Sequence, residues 1–383
     1  MKQSQRSPEE LSRYSRQLVL PEVGNAGQAK IENARVLIVG VGGLGSPAAL
    51  YLAAVGVGTI GLIDDDTVAL SNLHRQIVHT TASIGRPKVE SARDRMLELN
   101  PHVRVDCHAT RLSPTNALEL IERYDIIIDG SDNFVTRYLI NDACVFLAKR
   151  HIHGSVYKFE GTVSVFGRDG PCYRCVHPVA PLPLLVQDCA QSGVLGVVPG
   201  LIGVMQATET LKLILGIGQP LVGRVLMVDS LTMTTREHLV LKNVDCPICG
   251  NHPTILTLTD EGQTCRAPDC NHAPSLKERL ADMRVEELKQ KLERKETFTL
   301  LDVREPEEFD IANLGGRLIP LGELRDRLGE LDREAEIVVF CHHGIRSRSA
   351  VALMQQCGFA NVKNLVGGID AWSRLIDPTL PRY

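Results

Sequence analysis

The sequence is poor in aromatics: one tryptophan, seven tyrosines and eight phenylalanines in 383 residues. It also lacks a basic excess, with 42 lysines and arginines against 46 acidic residues and a formal net charge of −4. That balance gives no general reason to expect nucleic-acid or membrane-surface binding. Internal repeats and low-complexity tracts are missing. The first residues, MKQSQRSPEE, are polar and charged, unlike a signal peptide, so a cytoplasmic protein is expected. Long apolar runs free of glycine are missing too. Two stretches, roughly 36–63 and 193–218, are apolar enough to raise the question of a membrane span. Both are dense in glycine, and buried parallel strands with their loops are the expected explanation. Eleven cysteines are present. Without an export signal they point to metal binding or catalysis, not to a disulfide framework.

What the sequence does contain is alternation. Residues 1–34 look helical, with RYSRQ near their start. Strand-like runs then follow (RVLIVG, TIGLID, YDIIIDG, GTVSVFG, RVLMVDS), separated by helical stretches such as KVESARDRMLELN. Strands separated by helices imply an α/β domain with a largely parallel, doubly wound sheet and helices on both faces. Residues 251–275 are less periodic, hold Pro253, Pro268 and Pro274, and read as a linker. A smaller α/β pattern begins near 276, through VEELKQKL, TFTLLDVRE, EIVVFCHHGIRSRSAVALMQQ and VKNLVGG. The expected organisation is a domain over 1–250, a linker over 251–275 and a second domain over 276–383.

Residues 35–46, RVLIVGVGGLGS, join an apolar strand to a glycine cluster and a helix start. This G-x-G-x-x-G pattern marks a Rossmann-like nucleotide site, whose loop amides and helix N-terminus favour phosphate. Asp64, at the end of the next strand, can hydrogen-bond a ribose hydroxyl. To this point NAD, FAD and ATP are equal candidates. The following residues separate them. SNLHRQ places Asn72, Arg75 and Gln76 beyond the second strand, Lys88 opens a helix, and SDN places Asp132 and Asn133 beyond another strand. Ligands of doubly wound folds bind at the carboxyl ends of strands. Arg75 and Lys88 can converge there on a triphosphate, and Asp132 can hold Mg²⁺. An NAD-dependent oxidoreductase would lack an obvious hydride site.

RYSRQ, VGVGGLGSPAALYLAAVGVGTIGLID, SNLHRQ, KVESA, SDNFVTRYLIND, GPCYRC, GVLGVVPG, QATE and CPICG run in that order over roughly 10–250. Together they resemble the MoeB/ThiF family of sulfur-carrier-protein adenylyltransferases, prokaryotic relatives of ubiquitin-activating enzymes. The resemblance implies an ATP site lined by Gly43, Asp64, Ser71, Asn72, Leu73, His74, Arg75, Lys88, Asp132 and Asn133. It also implies a homodimer, with Arg16 reaching a neighbouring subunit's ATP. The expected chemistry is attack of a carrier's C-terminal glycine carboxylate on the α-phosphate of ATP.

The cysteines divide by task. Cys172 and Cys175, with Cys246 and Cys249, form two C-x-x-C pairs suited to a closed, structural Zn²⁺ site. Cys189 occupies a position that some members of the family use for a thioester or persulfide. Cys265, Cys270 and His272 lie in the linker and read as incidental. Cys107, Cys144 and Cys357 read as core thiols. Cys341 begins the loop CHHGIR between a strand and a helix. Loop amides and the helix N-terminus would stabilise its thiolate or persulfide. Arg346, with His342 or His343, would add positive potential for an anionic sulfur donor such as thiosulfate. With LLDVREPEEFDIANLGGRLIPLGEL upstream and NLVGGIDAW downstream, residues 278–383 resemble a rhodanese domain. In it Cys341 would carry sulfane sulfur, and Asp302 and Arg304 would be structural.

An activating domain fused to a sulfur-carrying domain implies one route. The first half adenylates a small ubiquitin-like carrier ending in Gly-Gly, and Cys341 converts the acyl-adenylate into a thiocarboxylate. Fusion raises the effective concentration of one site at the other. Carriers of the molybdopterin, thiamine, cysteine and tRNA-thiolation routes all fit, and thiosulfate or a cysteine desulfurase could supply the sulfur. Two other readings stand beside it: a stand-alone thiosulfate sulfurtransferase, and an enzyme that conjugates a ubiquitin-like modifier through a thioester on Cys189.

Overall fold

The computed structural model describes residues 6–167, 169–178, 193–259 and 281–382, which form two compact units. The first opens with two helices, Pro8–Leu18 and Gly24–Asn33. Its sheet contains β1 (Arg35–Val39), β2 (Thr59–Ile63), β3 (Arg104–His108), β4 (Ile126–Asp129), β5 (Arg150–Tyr157), β6 (Glu160–Gly167), β7 (Arg224–Asp229) and β8 (Thr234–Leu239). The strand order is β3-β2-β1-β4-β5-β6-β7-β8. Strand β1 shows why the run RVLIV is apolar without alternation. Val36 and Ile38 enter one hydrophobic cluster together with Ala48 and Leu52 of the helix Gly45–Ala54. Leu37 and Val39 enter another with Leu139 and Ile140 of the helix Phe134–Phe146. A strand covered on both faces needs apolar side chains at every position.

Strands β1 to β5 are parallel, as expected. The pairs β5–β6, β6–β7 and β7–β8 are antiparallel, which narrows the expectation for GTVSVFG and RVLMVDS. Only Lys158 and Phe159 separate β5 from β6, with Lys158 at φ +53°. A two-residue link closes an antiparallel hairpin but is too short for a parallel crossover.

The apolar stretch 193–218 also departs from expectation. It contains a 19-residue helix, Val197–Leu215, instead of strands. Among the described residues it is the one helix long and apolar enough to cross a membrane by composition. Yet it buries Gln206 and Glu209 inside the unit. Gln206 Nε2 donates to the carbonyls of Asp129 (2.7 Å) and Ile152 (3.0 Å), and Glu209 accepts from Leu221 N (2.8 Å). Gln206 thus ties the helix to β4 and β5, and Glu209 ties it to the segment before β7. By contrast, the apolar stretch 36–63 is β1, a helix and β2.

The second unit has β9 (Ala281–Met283), β10 (Thr299–Asp302), β11 (Arg317–Leu318), β12 (Ile337–Phe340) and β13 (Val362–Leu365). Its order is β11-β10-β12-β13-β9, and every pair is parallel. The burial of both faces seen in β1 recurs in β12. Ile337 and Val339 face one core, and Val338 and Phe340 the other. Asp302 and Arg304 form a fully buried pair, Arg304 Nε donating at 2.9 Å, and Arg304 also donates to the carbonyls of Glu308 and Ala312. The pair thus holds the turn between β10 and the helix Pro306–Ile311 in place.

Candidate functional site

Val39 stands in register with Ile63 on one side and Asp129 on the other. The loops after β1, β2 and β4 therefore open along one sheet edge. Strand order reverses between β1 and β4, the place where an open α/β sheet leaves a ligand crevice. Two glycines meet there. A Cβ on Gly40, which has φ +91°, would stand 2.7 Å from Gly130 O. Only glycine lets the two loops touch. Asp64 Oδ2 accepts from Val41 N (2.8 Å) and Oδ1 from Asp66 N (2.9 Å), so this carboxylate shapes the glycine loop. Burial pushes the Asp64 pKa up, against the opposing pull of Lys88 and the two amides.

The cations expected at this crevice are ordered. Lys88 is buried, with Nζ 2.7 Å from Asp66 Oδ2 and 3.8 Å from Asp64 Oδ1. Arg75 passes close to Gly43, where a Cβ would lie 3.6 Å from Arg75 Cδ. Its guanidinium donates to Ser71 O (3.1 Å) and to His74 Nε2 (2.8 Å). Asn72 Oδ1 accepts from Ala69 N, Leu73 is half-buried, and Ser71 and His74 are exposed. Asp132 is exposed beyond β4. Asn133 caps the helix Phe134–Phe146, its Oδ1 accepting from Thr136 N at 2.9 Å. Arg16 is exposed in the last turn of the helix Pro8–Leu18.

Beneath the Ser131–Asn133 turn lies a group that sequence reasoning missed. Asp129 is wholly buried and accepts from Ser131 N (3.1 Å), Ser131 Oγ (2.5 Å) and His153 Nδ1 (3.0 Å). Arg137 Nε stands 3.5 Å away. Burial alone would raise the Asp129 pKa, but His153, Arg137 and Ser131 outweigh it and hold the carboxyl at about 2. The one sequence signal was an acidic residue closing the all-isoleucine strand IIID.

The four cysteines of the two C-x-x-C pairs converge. Cys172 Sγ lies 3.9 Å from Cys175 Sγ and 3.5 Å from Cys246 Sγ, and Cys175 Sγ lies 3.4 Å from Cys249 Sγ. A tetrahedral zinc with bonds near 2.3 Å needs sulfurs about 3.8 Å apart, so the four thiols fit the ion. The Cys172 thiol and, past an opposing burial effect, the Asn243 amide pull the Cys175 pKa down, while the same crowding of thiols pushes Cys172 up. The turn is anchored from below. Tyr173 N donates to Asn141 Oδ1 (2.7 Å), and Arg174 makes a buried two-point pair with Asp142 at 2.7 and 2.6 Å. Asn141 and Asp142 belong to the helix that Asn133 caps.

In the second unit Cys341 directly follows β12 and is 1% exposed. Gly344 N donates to its sulfur at 3.1 Å, and Ser347 Oγ stands 3.5 Å away. Gly344 has φ +85°, the left-handed turn that aims its amide inward. Ser347, which the sequence reading did not single out, also donates to Asn364 Oδ1 at 2.7 Å. Arg346 is not a free cation. Its guanidinium grips Glu308 at two points, 2.5 Å each.

The ThiF family matches residues 14–248, and the rhodanese-like domain matches residues 284–375. The chain belongs to the ThiF family. It is 42% identical to the probable adenylyltransferase/sulfurtransferase MoeZ of Mycobacterium tuberculosis, over 98% of this chain and 96% of that protein. It is 44% identical to the adenylyltransferase and sulfurtransferase MOCS3 of Drosophila grimshawi, over 98% of this chain and 87% of that protein. Among solved structures, E. coli MccB with ATP superposes with a TM-score of 0.56 at 23% identity, over 62% of this chain and 75% of that one. PaaA superposes at 0.54 and 26% identity, over 63% and 77%.

Membership in the ThiF family implies use of ATP, and the cysteine cluster could bind zinc. Gly43, Asp64, Ser71–Arg75, Asp132 and Asn133 lie in the segments that follow β1, β2 and β4, and Lys88, which opens the helix Lys88–Leu99, reaches Asp64 and Asp66. Cys189, Cys265, Cys270 and His272 lie outside the described residues. Cys144 is fully buried, while Cys107 and Cys357 are half-buried.

Proposed function

We propose that this enzyme adenylates the C-terminal glycine of a small ubiquitin-like sulfur carrier ending in Gly-Gly and then converts it into a thiocarboxylate. The observation that carries this reading is the presence, in one chain, of a glycine-loop crevice with ordered cations and a buried cysteine held by a loop amide. In the first step a carboxylate oxygen of the carrier attacks the α-phosphorus of ATP and pyrophosphate leaves. Positioning and charge stabilisation supply most of the rate. Gly43 lets the phosphates approach the loop, Asp64 orients the ribose side, and Arg75 and Lys88 face the phosphates. Asp132 would hold Mg²⁺, which spreads the charge developing on the phosphate oxygens. Arg16, exposed on its helix, completes the site of a second subunit in a homodimer.

In the second step the outer sulfur of a Cys341 persulfide attacks the adenylate carbonyl and AMP leaves. A thiol then attacks the Cys341 sulfur of the resulting acyl disulfide, and the thiocarboxylate departs with the electron pair. Cys189 fits that resolving role. Zinc at Cys172, Cys175, Cys246 and Cys249 is structural, since four thiolates close its coordination. The domains divide as 1–250 and 276–383. The test is mass measurement of a carrier C-terminus after incubation with ATP and a persulfide source. Replacement of one oxygen by sulfur supports the reading. A stable thioester on Cys189 without thiocarboxylate would favour modifier conjugation instead.

A further inference from the structure

The arginine of the Cys341 loop already has its charge answered. Arg346 Nη1 lies 2.5 Å from Glu308 Oε2 and Nη2 lies 2.5 Å from Oε1, a fork-on-fork contact between side chains 12% and 21% exposed. Glu308 is held from two further directions. Its Oε2 accepts from Glu305 N (3.1 Å), and its carbonyl accepts from Arg304, itself locked on Asp302. Arg346 closes the loop that begins at Cys341, and Glu308 reaches it from the helix Pro306–Ile311, so the pair stands at the end of that loop. A guanidinium and a carboxylate in contact present a dipole, not a charge, to a third group. A dianion approaching Cys341 therefore gains little from Arg346 while Glu308 holds it.

We propose that Glu308 determines the donor class of the sulfur-transfer site. Paired with Arg346, it disfavours thiosulfate and leaves the loop suited to a persulfide carried on a protein cysteine. The inference rests on the reading that Cys341 carries the transferable sulfur. The two donors differ in what they ask of the loop. With thiosulfate, the Cys341 thiolate attacks the outer sulfur, the S–S bond breaks, and sulfite leaves with the electron pair. The sulfonate end is a fixed anion that wants a guanidinium. With a protein persulfide, the same thiolate attacks the terminal sulfur and the donor's cysteine thiolate leaves. No sulfonate has to be held.

The test is steady-state sulfur transfer to cyanide by the full chain, with thiosulfate or with a cysteine desulfurase plus cysteine as donor. Freeing one charge-assisted contact corresponds to about a tenfold lower thiosulfate KM in Glu308→Gln, with kcat little changed. The gain should vanish in Glu308→Gln/Arg346→Gln and shrink at high salt. Desulfurase-driven transfer should not rise. Glu308→Asp, too short to grip both guanidinium nitrogens, should lie between wild type and Glu308→Gln, and it decides the matter where Glu308→Gln fails to fold. An unchanged thiosulfate KM in folded variants, or a gain that survives loss of Arg346, overturns the proposal. Cys341→Ala separates the two levels. If transfer persists without Cys341, the sulfur-carrier reading fails. If Cys341 is required and KM does not move, the role of Glu308 fails.

Discussion

His153 Nδ1 donates to Asp129 Oδ2 across 3.0 Å, directly beneath the turn that carries Asp132. The same carboxylate accepts the amide and hydroxyl of Ser131. Asp129 thus positions Asp132 through the backbone between them. Asp129→Asn should lower ATP–pyrophosphate exchange by about a hundredfold, the size of effect expected from a displacement near 1 Å. It should also destabilise the first unit by about 2 kcal/mol, because Arg137 and His153 lose an ionised partner. A folded variant with exchange within a factor of about two of wild type would remove this role.

Two buried groups make the first unit sensitive to acid. The Asp129 pKa lies below its ordinary 3.8, so its contribution is present above that pH and is lost as pH falls toward 2. The drop to about 2 corresponds to about 2 kcal/mol. His151 is fully buried, and among the described residues neither ring nitrogen has a hydrogen-bond partner. Burial lowers its pKa from 6.5 to about 3. The unfolded chain therefore takes the proton first, and stability falls as pH drops from 6.5 toward 3. Urea unfolding at stepped pH should show the loss beginning near 6.5, and His151→Leu should flatten that upper limb. Identical slopes in both proteins would contradict it.

Asp132→Ala should reduce carrier-dependent ATP–pyrophosphate exchange by at least about a hundredfold while the melting temperature stays near wild type. Asp132 is exposed, so its removal leaves no hole in the core. Near-normal exchange in this variant sinks its assignment to the phosphate site.

Metal analysis should find close to one zinc per chain. Cys246→Ser should lose the metal and destabilise the first unit, with little change in thiosulfate turnover by the second. Well under one equivalent in protein prepared without chelator would count against the site.

Cys341→Ala should keep exchange but produce no thiocarboxylate. Full yield from that variant, with no sulfide added, would refute the coupling of the two halves.

Much of this was legible in the residues. The glycine loop, the cation-bearing SNLHR segment, the paired cysteines and the Cys341 loop are local patterns whose geometry follows from a few bonds. What was not legible is tertiary. Asp129 looked like the end of an apolar strand because its partners, His153 and Gln206, arrive from other elements. Glu308 looked like one of several acids in REPEEF, and only the fold brings Arg346 to it across 38 residues. The helix Val197–Leu215 was misread because glycine and valine dominate its start, and its buried Gln206 and Glu209 declare themselves only once their partners are in place.

The cysteine cluster imposes an order of events. Cys172 and Cys246 are 74 residues apart. A chain growing from its N-terminus shows the first C-x-x-C pair long before the second exists. Until Cys246 and Cys249 emerge, the turn resting on Asn141 and Asp142 has only half its ligands, and the helix capped at Asn133 rests on an unfinished base. Among the described residues the Cys341 unit holds no cysteine cluster of this kind. In a cell starved of zinc, the chain would go on loading sulfur while losing the means to activate its acceptor. If the cluster holds zinc as proposed, metal supply would then govern the product.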